Sequence, residues 1–139
     1  MARYFNFYIL VLLLLFVSCQ NEGDIGSLYG QWALKTSFVN GQSSEHDNLY
    51  FSFQGKVVWA KSVNASNHTY NDVFGRFDQV GDSIMMNFVQ KSEYTTPRSL
   101  IEEKCGFSDA DNVRVLIKEL DSSKMILSDG DNHWLFEKF

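Results

Sequence analysis

The sequence predicts an all-β domain: an eight-stranded antiparallel up-and-down barrel with one short helix between strands five and six. Short runs rich in Val, Ile, Phe, Tyr and Trp alternate apolar and polar residues, as half-buried strands do. Clusters of Gly, Asn, Asp and Ser separate most of these runs by only a few residues, so successive strands pair as antiparallel neighbours. Closure into a barrel removes the exposed sheet edges of such a chain.

The composition supports one domain of this kind. The chain has 139 residues, of which 45% are hydrophobic and 15% aromatic, which is enough to build one core. The formal net charge is −5, and no basic stripe is visible in the sequence. Because a phosphate-binding surface needs such a stripe, the charge pattern argues against a nucleic-acid partner.

Residues 1–18 are predicted to be a secretory signal peptide. Arg3 precedes an uninterrupted apolar run over residues 7–17, which is shorter than the roughly 20 residues that a membrane-spanning helix needs. The ending Leu-Phe-Val-Ser-Cys19 resembles a bacterial lipobox, in which the cysteine sulfur receives a diacylglycerol anchor. We therefore expect lipidation at Cys19 and attachment to a membrane. An uncleaved N-terminal anchor and a signal without lipidation are the alternatives.

Residues 19–27 are predicted to be a polar tether between the lipid and the domain, which occupies residues 28–139. Gln20 stands where an Asp would retain a lipoprotein at the inner membrane, so we expect the outer membrane. Glu22 and Asp24 weakly resemble the acidic surface-export signals of Bacteroides-group lipoproteins. Both the periplasmic face and the cell-surface face therefore stay open.

The predicted strands follow one another from residue 30 to the end of the chain. Their ranges are 30–39, 49–54, 56–63, 68–78, 83–90, 113–120, 124–129 and 133–139. Tight turns are predicted at Asn40-Gly41, Gln54-Gly55, 80–82, 121–123 and 130–132, where residues that tolerate positive φ angles occur.

Alternation along each strand predicts which side chains point into the barrel. The predicted inward set is bulky: Trp32, Phe51, Val58, Phe77, Ile84, Met86, Phe88, Val115, Ile117, Leu127, Trp134 and Phe136. Of the 12 Phe in the chain, 8 fall in the eight predicted strands together with all 3 Trp, so we expect a mostly filled interior with a small or partial cavity.

The short helix is predicted over residues 97–106. Ser99 is placed to cap its N-terminus, Glu102 stands three residues later as in a capping box, and Gly106 fits its C-terminal end. If lipidation uses Cys19, Cys105 is left without a disulfide partner. The carboxylates of Glu102 and Glu103 would raise the pKa of its thiol, so we expect a half-buried structural cysteine.

The sequence contains no recognisable catalytic or metal-binding pattern. His46, His68 and His133 have no spacing suited to zinc, and Asp129-Gly130-Asp131 lacks the long acidic loop of a calcium site. There is no nucleophile elbow and no phosphate-binding Gly-rich loop. We therefore expect no enzyme activity, no metal and no cofactor.

Three segments, taken in order, carry a resemblance to a known family. Leu28-Tyr-Gly30-Gln-Trp32 resembles the Gly-x-Trp opening of lipocalins, residues 74–84 resemble their Gly-Asp hairpin, and residues 124–129 resemble their penultimate strand. Over residues 28–139 the chain is similar to the lipocalin-like domains of unknown function in Bacteroides-group lipoproteins.

The resemblance implies that Gly30 begins the first strand and that Trp32 plugs one end of the barrel. Lipocalins commonly place an Arg after the last strand to stack on this Trp, but here the chain ends Glu137-Lys138-Phe139. We expect Trp32 to meet Lys138 or the core instead.

Two functions of different classes follow from these observations. The leading hypothesis is a non-catalytic binding module that takes a small apolar or amphipathic molecule in the barrel mouth, or a partner on its outer face. Its candidate ligand-binding residues are Trp59, Phe77, Met86, Phe88 and Trp134. The alternative is a structural or protein-interaction subunit of a cell-envelope complex, with Tyr50 and Trp59 on the partner surface.

Overall fold

The structure is a computed structural model that describes residues 28–88 and 96–139. The predicted signal peptide, the predicted lipidation site Cys19 and the whole predicted tether lie in residues 1–27, outside the described residues. Processing and lipidation therefore stay predictions. Within the described ranges, no helix has both the length and the apolarity to cross a membrane.

The described chain forms a closed antiparallel barrel. Its strands are β1 Gly30–Val39, β2 Gln42–Glu45, β3 Leu49–Gln54, β4 Val57–Asn64, β5 Thr69–Val80, β6 Ser83–Asn87, β7 Val113–Leu120, β8 Lys124–Asp129 and β9 Asn132–Lys138. Consecutive strands from β3 to β9 pair as neighbours, and β1 pairs with both β3 and β9. The predicted eight-stranded barrel is confirmed, and its eight strands are β1 and β3–β9.

The sequence did not predict strand β2. It pairs with the second half of β1, from Val39↔Gln42 to Thr36↔Glu45, while β3 pairs with the first half. Strands β2 and β3 thus form one interrupted neighbour of β1. All four residues of β2 are exposed, so its sequence Gln-Ser-Ser-Glu lacks the apolar alternation by which a strand is recognised.

The barrel has two distinct ends. We call the end with the β1–β2, β4–β5 and β8–β9 turns and the helix the upper end. The lower end carries the β3–β4, β5–β6 and β7–β8 turns and receives the chain at Leu28. The fifth predicted strand, 83–90, corresponds to β6, which ends at Asn87; the predicted residues 89 and 90 lie outside the described ranges.

The interior is filled with side chains, mainly aromatic ones. Every residue of the predicted inward set is buried except Ile117, which is half-buried beside a register shift between β7 and β8. Phe51 lies at the centre, with its ring edge-on to the rings of Phe88, Phe107 and Phe136 at centroid distances of 6.5, 6.0 and 5.4 Å. Such contacts stabilise a core beyond the area they bury.

The helix occupies Arg98–Lys104 and is a wide π-helix. The predicted capping box is wrong: the N-cap residue is Pro97, whose side chain makes no capping hydrogen bond, and the Thr96 hydroxyl accepts from the Ser99 amide at 3.3 Å. Ser99 Oγ instead donates to the carbonyl of Thr96 at 2.9 Å, and a Glu102 carboxylate oxygen accepts from the amide of Ala110 at 3.3 Å. Glu102 therefore holds the returning loop rather than the start of the helix.

The π-helix packs on the barrel through two adjacent apolar residues. Leu100 and Ile101 are adjacent in sequence and both buried, and the Cys105 amide donates to the Leu100 carbonyl, five residues back, at 3.1 Å. Gly106 ends the helix with φ of 85°, as predicted.

Trp32 plugs the lower end. Its ring is fully buried, and its Nε1 donates to the carbonyl of Leu28 at 2.8 Å. The Lys138 ammonium lies 4.4 Å from the centroid of the Trp32 ring and also donates to the carbonyl of Tyr29. Lys138 thus supplies the cation–π contact to Trp32, and both expected environments, Lys138 and the core, are found.

Candidate functional site

The structure separates the five predicted ligand-binding residues into two groups. Phe77, Met86, Phe88 and Trp134 point into the barrel and are buried in the core. Phe77 is opposite Met86 across β5 and β6 and contacts Phe53, whereas Trp134 stacks on Phe107 near the upper end at 4.4 Å. These four side chains pack against other core residues. Trp59 lies on the outer face and does not join them.

Trp59 is held by its neighbours on β4 and β5. Its ring is parallel to the ring of Phe74, with centroids 5.6 Å apart, and its Nε1 donates to a carboxylate oxygen of Asp72 at 2.9 Å. The Lys61 ammonium lies 4.7 Å from the ring centroid. The hydrogen bond of the indole N–H, the stacking contact and the cation–π contact of Trp59 are thus all made within the chain.

Lys61 extends this arrangement to two tyrosines. Its ammonium lies 5.9 Å from the ring centroid of Tyr50 and 5.8 Å from that of Tyr70. We call Tyr50, Trp59, Lys61, Tyr70 and Phe74 the outer aromatic patch. Tyr70 is its most accessible member, with 60% of its surface exposed.

A groove of about 510 Å³ lies at the upper end, between the π-helix and the ends of β3, β4 and β5. It is larger than the three other described depressions, which measure about 410, 320 and 210 Å³. We call it the mouth groove. The residues that matter for its chemistry are Asp47, Asn48, Tyr50, Ser62, Asn64, Tyr70, Asn71 and Lys104.

The strand pattern explains why the mouth groove is polar. On β4 the inward row runs Val58, Ala60, Ser62, and on β5 the inward residue before Val73 is Asn71. Ser62 and Asn71 are directly opposite each other in the sheet. The inward rows thus change from apolar to polar at the same height, and the core ends where the groove begins.

Charges of both signs line the mouth groove. The Lys104 ammonium, from the π-helix, lies 3.5 Å from the hydroxyl of Ser62, which is itself buried. Asp47 lines the groove as well, and its carbonyl accepts from the Tyr50 hydroxyl at 3.5 Å. A cation, a carboxylate, amides and hydroxyls beside two tyrosine rings suit a small polar ligand with hydrogen-bonding groups.

The sequence interpretation did not find the mouth groove. Asn64 and Asn67, at the β4–β5 turn beside the groove, act in the turn itself: each side-chain oxygen accepts from the residue two positions on, Ser66 or Thr69. The sequence signal that could have found the groove is the change from apolar to polar residues along the inward rows of β4 and β5. This signal can be used only when the register of the two strands is known. Lys104 comes from a distant segment and could not be placed there.

Two titratable side chains near this end are structural. Cys105 is fully buried rather than half-buried, and burial raises the pKa of its thiol to about 12, against a smaller lowering effect of Lys104. Burial also lowers the pKa of His46, opposed by Asp47, and the ring nitrogen Nε2 lies 2.8 Å from the Ser37 hydroxyl. Across residues 28–88 and 96–139, no group of three His, Cys, Asp or Glu side chains is arranged to hold a metal ion.

Comparisons with known proteins give consistent results. A family model described as a lipocalin-like domain matches residues 13–139. The structure is similar to that of a lipocalin-like protein from Bacteroides uniformis, with a TM-score of 0.68, 19% identity, and coverage of 81% of this chain and 99% of the other. An uncharacterized protein from Bacteroides eggerthii gives a TM-score of 0.67 with the same identity and coverage. At this identity the likeness establishes the fold alone. No curated protein matches the sequence.

Proposed function

We propose a binding function from one premise: the chain belongs to the lipocalin-like domain family. The fold of that family indicates a binding module. The observation that carries the proposal further is that the barrel interior is filled while its mouth is polar and open. We propose that the ligand binds in the mouth groove, and that the protein is not an enzyme.

The proposed ligand is a small polar molecule with an anionic or hydroxyl-rich group. Lys104 is the cation of the groove, and the Ser62 hydroxyl beside it adds a second polar contact. A hydrogen bond to a charged group is stronger than one between neutral groups. Tyr50 and Tyr70 supply ring surface at the side of the groove.

This ligand can be sought by titrating the protein with monosaccharides, amino acids and short carboxylic acids while recording amide NMR shifts. Lys104→Met should weaken binding of the best compound by about tenfold or more, the loss of about 1.4 kcal/mol. Lys118→Met is the matched control, because Lys118 is exposed and outside the groove. Equal affinity of the two variants would remove Lys104 from the site, and shifts confined to other regions would remove the groove.

We further propose that the protein is exported, cut before Cys19 and lipid-anchored at the outer membrane, on either its periplasmic or its cell-surface face. The lipobox resemblance supports this proposal. Mass spectrometry of the membrane fraction should find a mature chain that begins with diacylated Cys19. Cys19→Ala should give an unlipidated product that leaves the detergent phase, and a wild-type chain without lipid would contradict the anchor.

The competing function, an envelope-complex subunit that binds a protein through Tyr50 and Trp59, has less support. Asp72, Phe74 and Lys61 already contact the Trp59 side chain within the same chain. Trp59→Ala should therefore lower the stability of the sheet more than it weakens binding to another protein.

A further inference from the structure

We propose that the lower end of the barrel is a membrane-contact surface that lies against the headgroup region of the lipid leaflet. We call this surface the lower rim and define it by Tyr29, Val57 and Val80 together with Lys56 and Lys124. The inference rests on the proposed lipid anchor at Cys19. Beyond the anchor itself, the inference specifies which end of the domain lies against the membrane and which end faces the solvent.

The point where the chain enters the domain is the first argument. Leu28 is fully buried, and its carbonyl accepts a hydrogen bond from the Trp32 indole N–H. The point where the chain enters the domain is therefore fixed at the lower end. Residues 19–27 can span at most about 30 Å when fully extended, and on the order of 17 Å as a flexible chain. A domain attached through them is thus held close to the leaflet, with its lower end nearest.

The exposed side chains of the lower rim are the second argument. Val80 is 62% exposed, Val57 46% and Tyr29 37%. All three lie next to lower-end turns or the chain entry, and the Tyr29 hydroxyl donates to the carbonyl of Gly55 in the β3–β4 turn at 3.4 Å. Tyrosines and short apolar side chains are well suited to the boundary between water and hydrocarbon.

The distribution of charge is the third argument. At the upper end the described carboxylates outnumber the basic side chains Arg98, Lys104 and Arg114, and they are Asp47, Glu102, Glu103, Asp109, Asp129 and Asp131. At the lower end the charges are balanced, because five acidic side chains stand against five basic ones: Asp78, Asp82, Glu119, Asp121 and Glu137 against Lys56, Arg76, Lys118, Lys124 and Lys138. Lys56 pairs with Asp78 at 3.5 Å and Lys124 with Glu119 at 3.7 Å. An anionic leaflet repels the upper end and tolerates the lower one. The mouth groove therefore opens away from the membrane.

The test uses the full chain as the cell produces it, purified with its lipid and reconstituted in phosphatidylcholine–phosphatidylglycerol vesicles. Val80→Cys and Asp131→Cys are each labelled with a fluorophore that reports polarity, one at each end of the barrel. Cys105 is buried and Cys19 is acylated, so only the introduced thiol reacts. Doxyl-labelled lipid should quench the probe at position 80 several-fold more than the probe at position 131. Val57→Cys should behave like Val80→Cys.

Equal quenching at positions 80, 57 and 131 in a lipidated chain would overturn the lower rim as a contact surface, while leaving the anchor intact. Stronger quenching at position 131 would overturn it in favour of the opposite orientation. A chain whose mass shows no lipid on Cys19 would instead defeat the anchor, and this inference with it. The mass measurement therefore separates the two failures.

Discussion

Lys138 contacts the plug of the barrel in two ways. Its ammonium contacts the Trp32 ring and donates to the Tyr29 carbonyl, and partial burial lowers the pKa of this amine. Gly30, with φ of 114°, leaves the space that this contact needs, because a Cβ there would lie 2.8 Å from Lys138 Nζ. The opening Gly-x-Trp segment and the end of the last strand are thus one local structure.

Trp32→Ala should be strongly destabilising, because a large buried side chain would leave a cavity and its indole hydrogen bond would be lost. We expect the free energy of unfolding to fall by about 3 to 5 kcal/mol, measured by urea denaturation. Trp59→Ala, at a half-buried outer position, is the control and should lower it less. A loss below about 1 kcal/mol for Trp32→Ala would show that Trp32 is not a structural plug.

Cys105 should make stability depend on pH in the alkaline range. The unfolded thiol ionises near its ordinary pKa of 9.0, whereas the folded thiol does so only at about 12. The unfolded state therefore binds fewer protons between these values, and stability falls as pH rises through that window. Cys105→Ala should lower stability at neutral pH through lost packing, but should flatten its decline above pH 9.0 relative to wild type. Parallel pH profiles for the two proteins would contradict this.

At the scale of elements, the sequence predicts what depends on local pattern and misses what depends on contacts. Strands β3, β7 and β8 were predicted at the bounds observed, because their apolar residues alternate and turn residues flank them. Strand β2 is exposed on both faces and carries no such pattern. The prediction of a capping box was wrong because the Glu102 carboxylate accepts a hydrogen bond from the Ala110 amide in the returning loop.

At Gly75, β5 lies too close to the end of β6 to leave room for a side chain. A Cβ there would collide with the backbone of Asn87, coming within 2.9 Å of its carbonyl carbon and 3.0 Å of the Phe88 ring. We expect Gly75→Ala to cost about 1 to 3 kcal/mol of stability, as overpacking does. The comparison is Gly81→Ala, where the strain is confined to a turn and no atom lies within 4 Å. A neutral Gly75→Ala would mean that the two strands separate easily.

For the whole molecule, the filled interior could be predicted from the sequence, and the mouth groove could not. Bulk is a property of composition and alternation, so the inward set was identified without coordinates. The groove combines Ser62 on β4, Asn71 on β5 and Lys104 on the π-helix, which only the register and the returning loop bring together.

The packed interior predicts weak capacity for apolar ligands. A barrel that carries a lipid leaves an apolar space of at least about 300 Å³, whereas here Phe51, Phe88 and Trp134 occupy that region. Titration with a fluorescent fatty acid should give no saturable one-to-one binding below micromolar concentration. Saturable binding with quenching of Trp134 fluorescence would show that the core opens for a ligand.

The pairing of β1 with β9 closes the barrel between the first and the last strand of the described chain. Lys138 and Tyr29 are in contact although 109 residues separate them, and β9 is the last strand along the described chain. As long as β9 is not paired with it, β1 has an unpaired hydrogen-bonding edge, and the Trp32 ring lacks the Lys138 cation. Bringing such distant strands together has a high entropic cost, which makes folding slow. Closure of the barrel thus depends on contacts of long sequence separation, which a segment that lacks β9 cannot make.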